Sequence, residues 1–317
     1  MLSRRHFRIK IMQALYAFEL AGEGRVDVAE RQLRRSFDKM HELYILQVSF
    51  ILAVVEFARN RQEEAKKKFF PTEEDLNPNT RFVDNPLILA MEDNAAFTKE
   101  CERYKVNWVD EKEMIRRIWI AFRDSQEMAR YLSGSGDDPE SHREILRVLV
   151  RDYMAPSEVL SHYFEGLNIH WADDFDTMLG LVLKTIRSLG SDEQDFPPAL
   201  IHSEEDMDEM KEFILPLFRK TIAGGEEYER MIAGHARNWE FDRIALLDVI
   251  LMKMAICELL HFPSIPVKVT INEYIEISKG YSTPKSRIFI NGMLDKIVET
   301  LRAENRLRKT GRGLLDS

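Results

Sequence analysis

Apolar residues in the last third of the chain recur at intervals of three and four, the spacing of one face of a helix. Two segments, residues 266–280 and 284–306, carry this pattern. Their apolar faces comprise Val267, Ile271, Tyr274, Ile275 and Ser278 in the first and Ile290, Leu294, Ile297, Val298 and Leu301 in the second. Local propensity disagrees, because β-branched residues favour a strand and Asn291-Gly292 favours a hairpin turn. A period sustained over four turns outweighs both signals and predicts two helices.

Proline and glycine positions refine this prediction. Pro266 and Pro284 suit the first turn of a helix, where the missing N–H would be unpaired anyway, and Thr283 is a candidate N-cap. Gly292 then lies inside a helix, at a cost of about 1 kcal/mol relative to alanine. We expect another backbone to approach it closely, so that Gly292→Val would overpack the site by a few kcal/mol.

The rest of the chain is also predicted to be helical. Ser3 is a candidate cap for a helix over residues 3–20, and a long helix is predicted from Val26 to Phe69 with its middle buried on more than one face. Linkers are predicted at residues 71–86 and 190–203. No segment favours a strand, so the predicted class is all-α, built by packing helix faces. A chain of 317 residues is expected to form two domains.

Three motifs resemble one known family. The segments IPVKVTINEYIEISK (265–279) and SRIFINGMLDKI (286–297) resemble the C-terminal signature of the NusB family of transcription antitermination factors. Residues 4–16 and 251–259 are similar to its opening and central helices. The resemblance covers residues 1–24 and 200–317. It implies a NusB-like helical bundle core that binds RNA, interrupted by an inserted helical domain of unknown role at residues 25–199.

Composition limits the functional classes. A charged share of 31% and a hydrophobic share of 44% are those of a soluble globular protein. No apolar run reaches the roughly 18–20 residues of a membrane helix, and the N-terminus lacks the apolar segment of a signal peptide. Cys101 and Cys257 are too few for a disulfide framework. We therefore expect a cytoplasmic protein with buried thiols.

The net charge of −9 argues against attraction of nucleic acid to the whole surface. It permits a local basic patch, because screening at physiological salt acts over about 8 Å. Basic residues cluster at the two ends of the chain. The N-terminal cluster contains Arg4, Arg5 and Arg8, and the tail contains Arg302, Arg306, Arg308, Lys309 and Arg312.

Arg4, Arg5 and Arg8 are candidate RNA-binding residues. Cations at a helix N-terminus oppose the macrodipole at about 0.3–1 kcal/mol each, so an anionic partner explains them better than helix stability does. From the residues alone, a solvated chain end stays an alternative. The resemblance implies that these arginines contact boxA, a single-stranded RNA element, through phosphate contacts supplemented by bases stacked on aromatic side chains.

Four further residues complete the RNA-binding prediction. Tyr16 and Phe289 are the aromatic residues in matching motif positions, although core packing is nearly as good an interpretation of either. Lys285 stands where the family usually has an acid and is a candidate phosphate contact, and Arg287 is a further candidate RNA-binding residue. This departure leaves open which RNA sequence is recognised.

Asp248 and Lys253 match a charged pair of the family. The resemblance implies that they form part of the surface that binds NusE, a ribosomal protein of the small subunit that is also a transcription factor. The alternative is an exposed pair at i,i+5 without a partner.

Metal and enzyme sites are not predicted. Glu258-x-x-His261 could supply half of a di-iron site, but the chain has no second copy of the motif. Glu258 is expected to cap or pair within the core instead. No phosphate-binding glycine loop, Gly-x-Ser-x-Gly or Cys-x-x-Cys motif occurs, so neither a cofactor nor an enzymatic activity is expected.

The leading hypothesis is an RNA-binding transcription antitermination factor. It would bind boxA-like RNA of ribosomal RNA operons together with NusE and act on RNA polymerase in the antitermination complex. The alternative is a helical protein–protein scaffold for ribosomal or transcription proteins, with RNA binding incidental.

Overall fold

The computed structural model describes residues 2–22, 24–134, 138–168, 171–189, 196, 208–236 and 244–314. These residues form helices and connecting turns and contain no strand, so the predicted all-α class is confirmed. Most of the predicted linker at 190–203 lies outside the described residues, as does the predicted domain boundary at 199–200.

The chain forms two compact units. The central unit comprises Phe37–Leu200, and the terminal unit combines Leu2–Ser36 with Ile201–Ser317. Helix α2 (Val26–Lys66) contributes residues to both units. The domain limits predicted from the sequence, 1–24 and 200–317 around 25–199, stay a prediction.

The central unit is built around an aromatic core. Phe164 is fully buried, and its ring centroid lies 6.3 Å from Trp108, 6.1 Å from Trp171 and 5.7 Å from Phe175. After α2, the described helices of this unit are α3 (Glu73–Leu76), α4 (Pro86–Glu92), α5 (Ala95–Arg103), α6 (Lys112–Arg123), α7 (Gln126–Ser133), α8 (Pro139–Val148) with a π-helical extension (Leu149–Met154), α9 (Glu158–Leu167) and α10 (Phe175–Ser188).

Helix α2 confirms the predicted long helix and its widely buried middle. Leu43, Tyr44, Ile45, Phe50 and Ile51 are fully buried. By length and composition alone α2 could cross a membrane, but 72% of its most apolar stretch is buried inside the protein. That burial is typical of a core helix in a soluble protein, so α2 is weak support for a membrane segment.

Helix α13 (Leu246–His261) lies at the centre of the terminal unit. It contacts the first helix of the chain and the four other α-helices that follow residue 214. All its residues from Asp248 to Leu259 are buried. The surrounding elements are α1 (Arg4–Leu20), a π-helical segment (Met210–Ile214), α11 (Leu215–Ala223), α12 (Gly225–His235), α14 (Val267–Tyr281), α15 (Pro284–Ala303) and a short 3-10 helix (Gly311–Leu314).

The predicted buried face is confirmed in full for α15 and in part for α14. All five predicted residues of α15 are buried, and Thr283 caps it by accepting a hydrogen bond from the Ser286 N–H at 3.1 Å. On α14, Thr270 and Ile277 join Val267, Tyr274 and Ser278 in the buried face, whereas Ile271 and Ile275 are only half-buried. The buried face of α14 is therefore rotated away from Ile271 and Ile275 and towards Thr270 and Ile277.

The expectation of a close backbone at Gly292 is wrong. The residue is exposed within α15, and a Cβ added there would meet nothing within 4 Å. Overpacking by Gly292→Val is therefore no longer expected.

Replacing Gly292 by alanine is expected to raise the free energy of unfolding by about 1 kcal/mol, because it removes backbone entropy from the unfolded chain at an open helical site. Urea denaturation measures this change. Gly22→Ala is the matched control. Gly22 also has open space around it but adopts a φ of +70°, so alanine there should destabilise. A loss of stability in Gly292→Ala would contradict the prediction.

Candidate nucleic-acid interface

A basic cavity of about 670 Å³ opens in the terminal unit beside the start of α1. Its wall includes four arginines and one carboxylate, together with an apolar strip before and within α14. The lining residues are Ser3, Arg4, Arg5, His6, Arg8, Ser264, Ile265, Pro266, Val269, Glu273 and Arg312. We call this the basic cavity.

The first two turns of α1 carry three of the arginines that line the cavity. Ser3 is the N-cap residue of α1, as predicted, and its N–H donates to Nδ1 of His6 at 3.2 Å. Arg4 and Arg8 are one turn apart and share a face. Their guanidinium groups lie over the ring of Phe213, at 5.0 and 5.1 Å from its centroid. The sequence spacing and this buried ring together fix the direction of both side chains.

Arg8 is a buried structural cation. Only 2% of it is exposed, and its Nε and terminal nitrogen donate to the two Glu258 oxygens at 2.8 and 2.7 Å. Burial alone would lower the pKa of Arg8, but the hydrogen bonds and charge of Glu258 outweigh it and the pKa is raised. Arg8 therefore remains charged and is held by the protein itself.

Glu258 is fully satisfied within this cluster. Besides Arg8, it accepts hydrogen bonds from the Thr270 hydroxyl at 2.8 Å and the Tyr274 hydroxyl at 3.1 Å. Burial raises the pKa of Tyr274, so that it stays protonated and can donate. The expectation that Glu258 pairs within the core is confirmed. The other half of the motif, His261, bonds the Tyr228 hydroxyl at 3.2 Å, and no group suited to a metal occurs among the described residues.

Arg4 and Arg5 are held far more loosely. Arg4 donates to Glu209 at 2.7 Å and Arg5 donates to both oxygens of Glu273, at 3.0 and 2.7 Å. The hydrogen bond to Glu273 raises the pKa of Arg5. Both arginines are exposed, and exposed ion pairs contribute about 0–1 kcal/mol. A phosphate can therefore replace either carboxylate at little cost.

Arg287 adds positive charge at the start of α15. The hydrogen bond from Lys279 lowers the pKa of Glu276, and the charges of Arg5 and Arg287 add to that effect. Arg5 and Arg287 thus act on one carboxylate. Lys285 is exposed in the first turn of α15, but neither it nor Arg287 lines the basic cavity.

The two candidate stacking residues also lie off the cavity wall. Tyr16 is 39% exposed and sits twelve residues after Arg4, roughly 18 Å along α1. Phe289 is half-buried on α15 and takes part in an interaction with other residues. The structure therefore brings Arg4, Arg5 and Arg8 to one cavity but not Tyr16, Lys285, Arg287 or Phe289. The RNA-binding role of all seven residues stays a prediction.

Asp248 and Lys253 are buried, so the alternative of an exposed pair without partners is wrong. Asp248 accepts a hydrogen bond from the Ser282 hydroxyl at 2.5 Å. Lys253 forms ion pairs with Glu19 at 3.1 Å and Glu229 at 2.5 Å. Burial would lower the pKa of Lys253, but these two carboxylates raise it. A partner-binding role for the pair stays a prediction.

Sequence reasoning did not assign Arg312, Val269 or Glu273 to the site. The basic composition of the tail was the one signal that could have indicated an anion-binding role for Arg312. The sequence pattern did not show that the tail returns to the start of α1, because that depends on contacts between residues about 300 positions apart.

Comparison with known proteins matches the second half of the chain. The model of the NusB family matches residues 181–299. The transcription antitermination protein NusB of Salinibacter ruber is 49% identical over 105 residues, which are 33% of this chain and 66% of that protein. The NusB of Chloroherpeton thalassium is 44% identical over 106 residues, 33% of this chain and 50% of that protein. The NusB of Koribacter versatilis is 36% identical over 99 residues, 31% of this chain and 68% of that protein.

The family match leaves two regions uncovered. They are residues 1–180, which include the arginines of α1, and the tail after residue 299. The chain spans between half and about two thirds of the length of the curated relatives it matches. No solved structure matches the chain.

Proposed function

The chain belongs to the NusB family, and from that premise we propose that it is an RNA-binding transcription antitermination factor. The observation that carries the proposal is the basic cavity, in which exposed Arg4 and Arg5 lie beside an apolar strip. The proposed ligand is single-stranded, boxA-like RNA of ribosomal RNA operons. The proposed partners are NusE and RNA polymerase. The protein would act in the cytoplasm by binding, with neither cofactor nor catalysis.

The cavity offers cationic groups to the phosphate of a nucleotide and an apolar surface to its base. Arg4 and Arg5 can exchange Glu209 and Glu273 for RNA phosphates, because charge-assisted hydrogen bonds of the same kind form in both states. Ile265, Pro266 and Val269 offer an apolar surface to a base. Arg8 is buried and binds Glu258. It therefore contributes to the structure of the site and is not needed as a direct contact with RNA.

Fluorescence anisotropy tests the proposal directly. A boxA-containing RNA and a scrambled RNA of equal length are titrated with the protein, alone and with NusE, at two salt concentrations. We expect binding that prefers boxA and is strengthened by NusE. Equal, weak binding of both RNAs, unaffected by NusE, would contradict the proposal.

The double replacement Arg4→Ala/Arg5→Ala is expected to weaken RNA binding and to flatten its salt dependence by about 0.7 logarithmic units for each phosphate that the variant no longer binds. The same anisotropy titration over a salt series gives both values. Arg116→Ala/Arg117→Ala is the matched control, because it removes two exposed arginines that pair with Glu113 in the central unit. Equal salt slopes for the two double variants would count against Arg4 and Arg5.

A protein–protein scaffold is the second candidate function. Phe69 and Phe70, after α2, are 90% and 83% exposed, and exposed aromatic residues are typical anchors of protein interfaces. If this function is the main one, Arg4→Ala/Arg5→Ala will retain its protein partners and its cellular activity while losing RNA.

A further inference from the structure

The C-terminal tail folds back onto the loop between α13 and α14. The Thr310 N–H donates to the carbonyl oxygen of Pro263 at 3.0 Å, and Nζ of Lys309 donates to the carbonyl oxygen of Phe262 at 3.1 Å. The tail ends in the 3-10 helix Gly311–Leu314, where the Gly313 N–H donates to the Thr310 carbonyl at 2.9 Å. These bonds fix residues 309–313 beside the basic cavity.

Two glycines make this docking possible. Gly311 adopts a φ of +54°, in the left-handed region that favours glycine. Gly313 is buried, and a Cβ at that position would collide with the carbonyl oxygen of Pro263. The first glycine turns the chain and the second allows its backbone to approach the loop. Arg312 stands between them and lines the cavity with Arg4 and Arg5.

Arg312 differs from the other arginines of the wall. Arg4, Arg5 and Arg8 each bind a carboxylate, from Glu209, Glu273 and Glu258 respectively. In the part of the chain that the structure describes, Arg312 is exposed and takes part in no ion pair or hydrogen bond through its guanidinium. It can therefore bind an anion without first breaking an internal pair.

We propose that Arg312 is a phosphate-binding residue of the RNA site and that the docked tail, residues 309–314, is part of that site. The proposal deepens the proposed function and rests on it. The tail lies beyond residue 299, where the family match ends, so the proposal rests on the contacts of this chain and not on that match. A charge-assisted arginine–phosphate contact corresponds to a change in affinity of about tenfold or more.

The test compares four proteins by anisotropy with the boxA-containing RNA over a salt series: the full chain, Arg312→Ala, Arg308→Ala and Gly313→Ala. Arg308 is the matched control, since it is an exposed arginine of the same tail that does not line the cavity. We expect Arg312→Ala to bind about tenfold more weakly, with a salt slope lower by about 0.7. Arg308→Ala should stay within about twofold of the full chain, because an arginine off the cavity wall makes no phosphate contact there.

Gly313→Ala tests the docking of the tail while keeping Arg312. The added Cβ should displace the tail from Pro263 and weaken binding about as much as Arg312→Ala does. Equal affinities of Arg312→Ala, Arg308→Ala and the full chain would overturn the proposal while leaving the proposed function intact. A full chain that binds no RNA would overturn both. Full affinity in Gly313→Ala would overturn the docked tail as a part of the site.

Discussion

Replacing Arg8 by alanine is expected to lower the free energy of unfolding by about 3–5 kcal/mol, the decrease typical when one partner of a buried ion pair is removed. The substitution leaves the carboxylate of Glu258 fully buried with no cation to balance it. Thr270 and Tyr274 still donate to it, but two neutral hydroxyls do not compensate a charge in an apolar interior. The variant also loses the packing of the guanidinium on Phe213.

Urea denaturation followed by circular dichroism measures this decrease. Arg4→Ala is the matched control, because its exposed pair with Glu209 contributes about 0–1 kcal/mol. The double variant Arg8→Met/Glu258→Leu should recover much of the stability, since apolar residues of similar size can replace a buried pair. If Arg8→Ala were no more destabilising than Arg4→Ala, water would have to reach Glu258 in solution, and the structural role of Arg8 would be wrong.

Replacing Phe164 by alanine is expected to destabilise the central unit by about 3–5 kcal/mol, the range for large-to-small changes at buried aromatic residues. Its ring meets those of Trp108, Trp171 and Phe175 within 6.3 Å. Their side chains come from different segments, so the space left by the ring cannot close by the movement of one helix.

Scanning calorimetry and urea denaturation both report this change. Phe69→Ala is the control, since it makes the same chemical change at a residue that is 90% exposed and should shift stability by no more than about 0.5 kcal/mol. Similar decreases in the two variants would show that the aromatic core contributes little and would contradict the architecture of the central unit.

All five residues that the apolar period predicted for the buried face of α15 are buried, whereas only three of the five predicted for α14 are. Along α15 the buried residues are aliphatic, so burial and hydrophobicity coincide. On α14 the pattern missed Thr270, which is buried because its hydroxyl binds Glu258. A hydrophobicity pattern assigns such a residue to the surface, because it does not register a buried polar partner. Ile271 and Ile275, the more apolar residues, are the half-buried ones.

The candidate site was predictable as a set of residue types but not as a geometry. Three arginines at a helix N-terminus indicated an anion, and Arg4 and Arg5 are exposed on the cavity wall. Arg8 has the same charge and neighbourhood in the sequence, yet it pairs with a residue 250 positions away. Spacing along one helix cannot distinguish an arginine that faces a ligand from one that faces a buried carboxylate.

Gly292 and Gly313 show the same limit from the opposite side. A glycine inside a helix suggested a close contact that does not exist, whereas Gly313, in a tail without helical periodicity, makes one with Pro263. Contacts of this kind depend on how distant segments meet. Local patterns therefore predict the helices and the charge but not the contribution of the tail to the cavity.

Photo-crosslinking of the full chain to a boxA-containing RNA that carries 4-thiouridine tests the central claim most directly, with mass spectrometry locating the attached residues. We expect crosslinks at residues 3–8, 264–269 and 309–314, which border the basic cavity, and their disappearance in Arg4→Ala/Arg5→Ala. Crosslinks confined to other surfaces, such as Phe69 and Phe70 in the central unit, would contradict the assignment of RNA binding to this cavity.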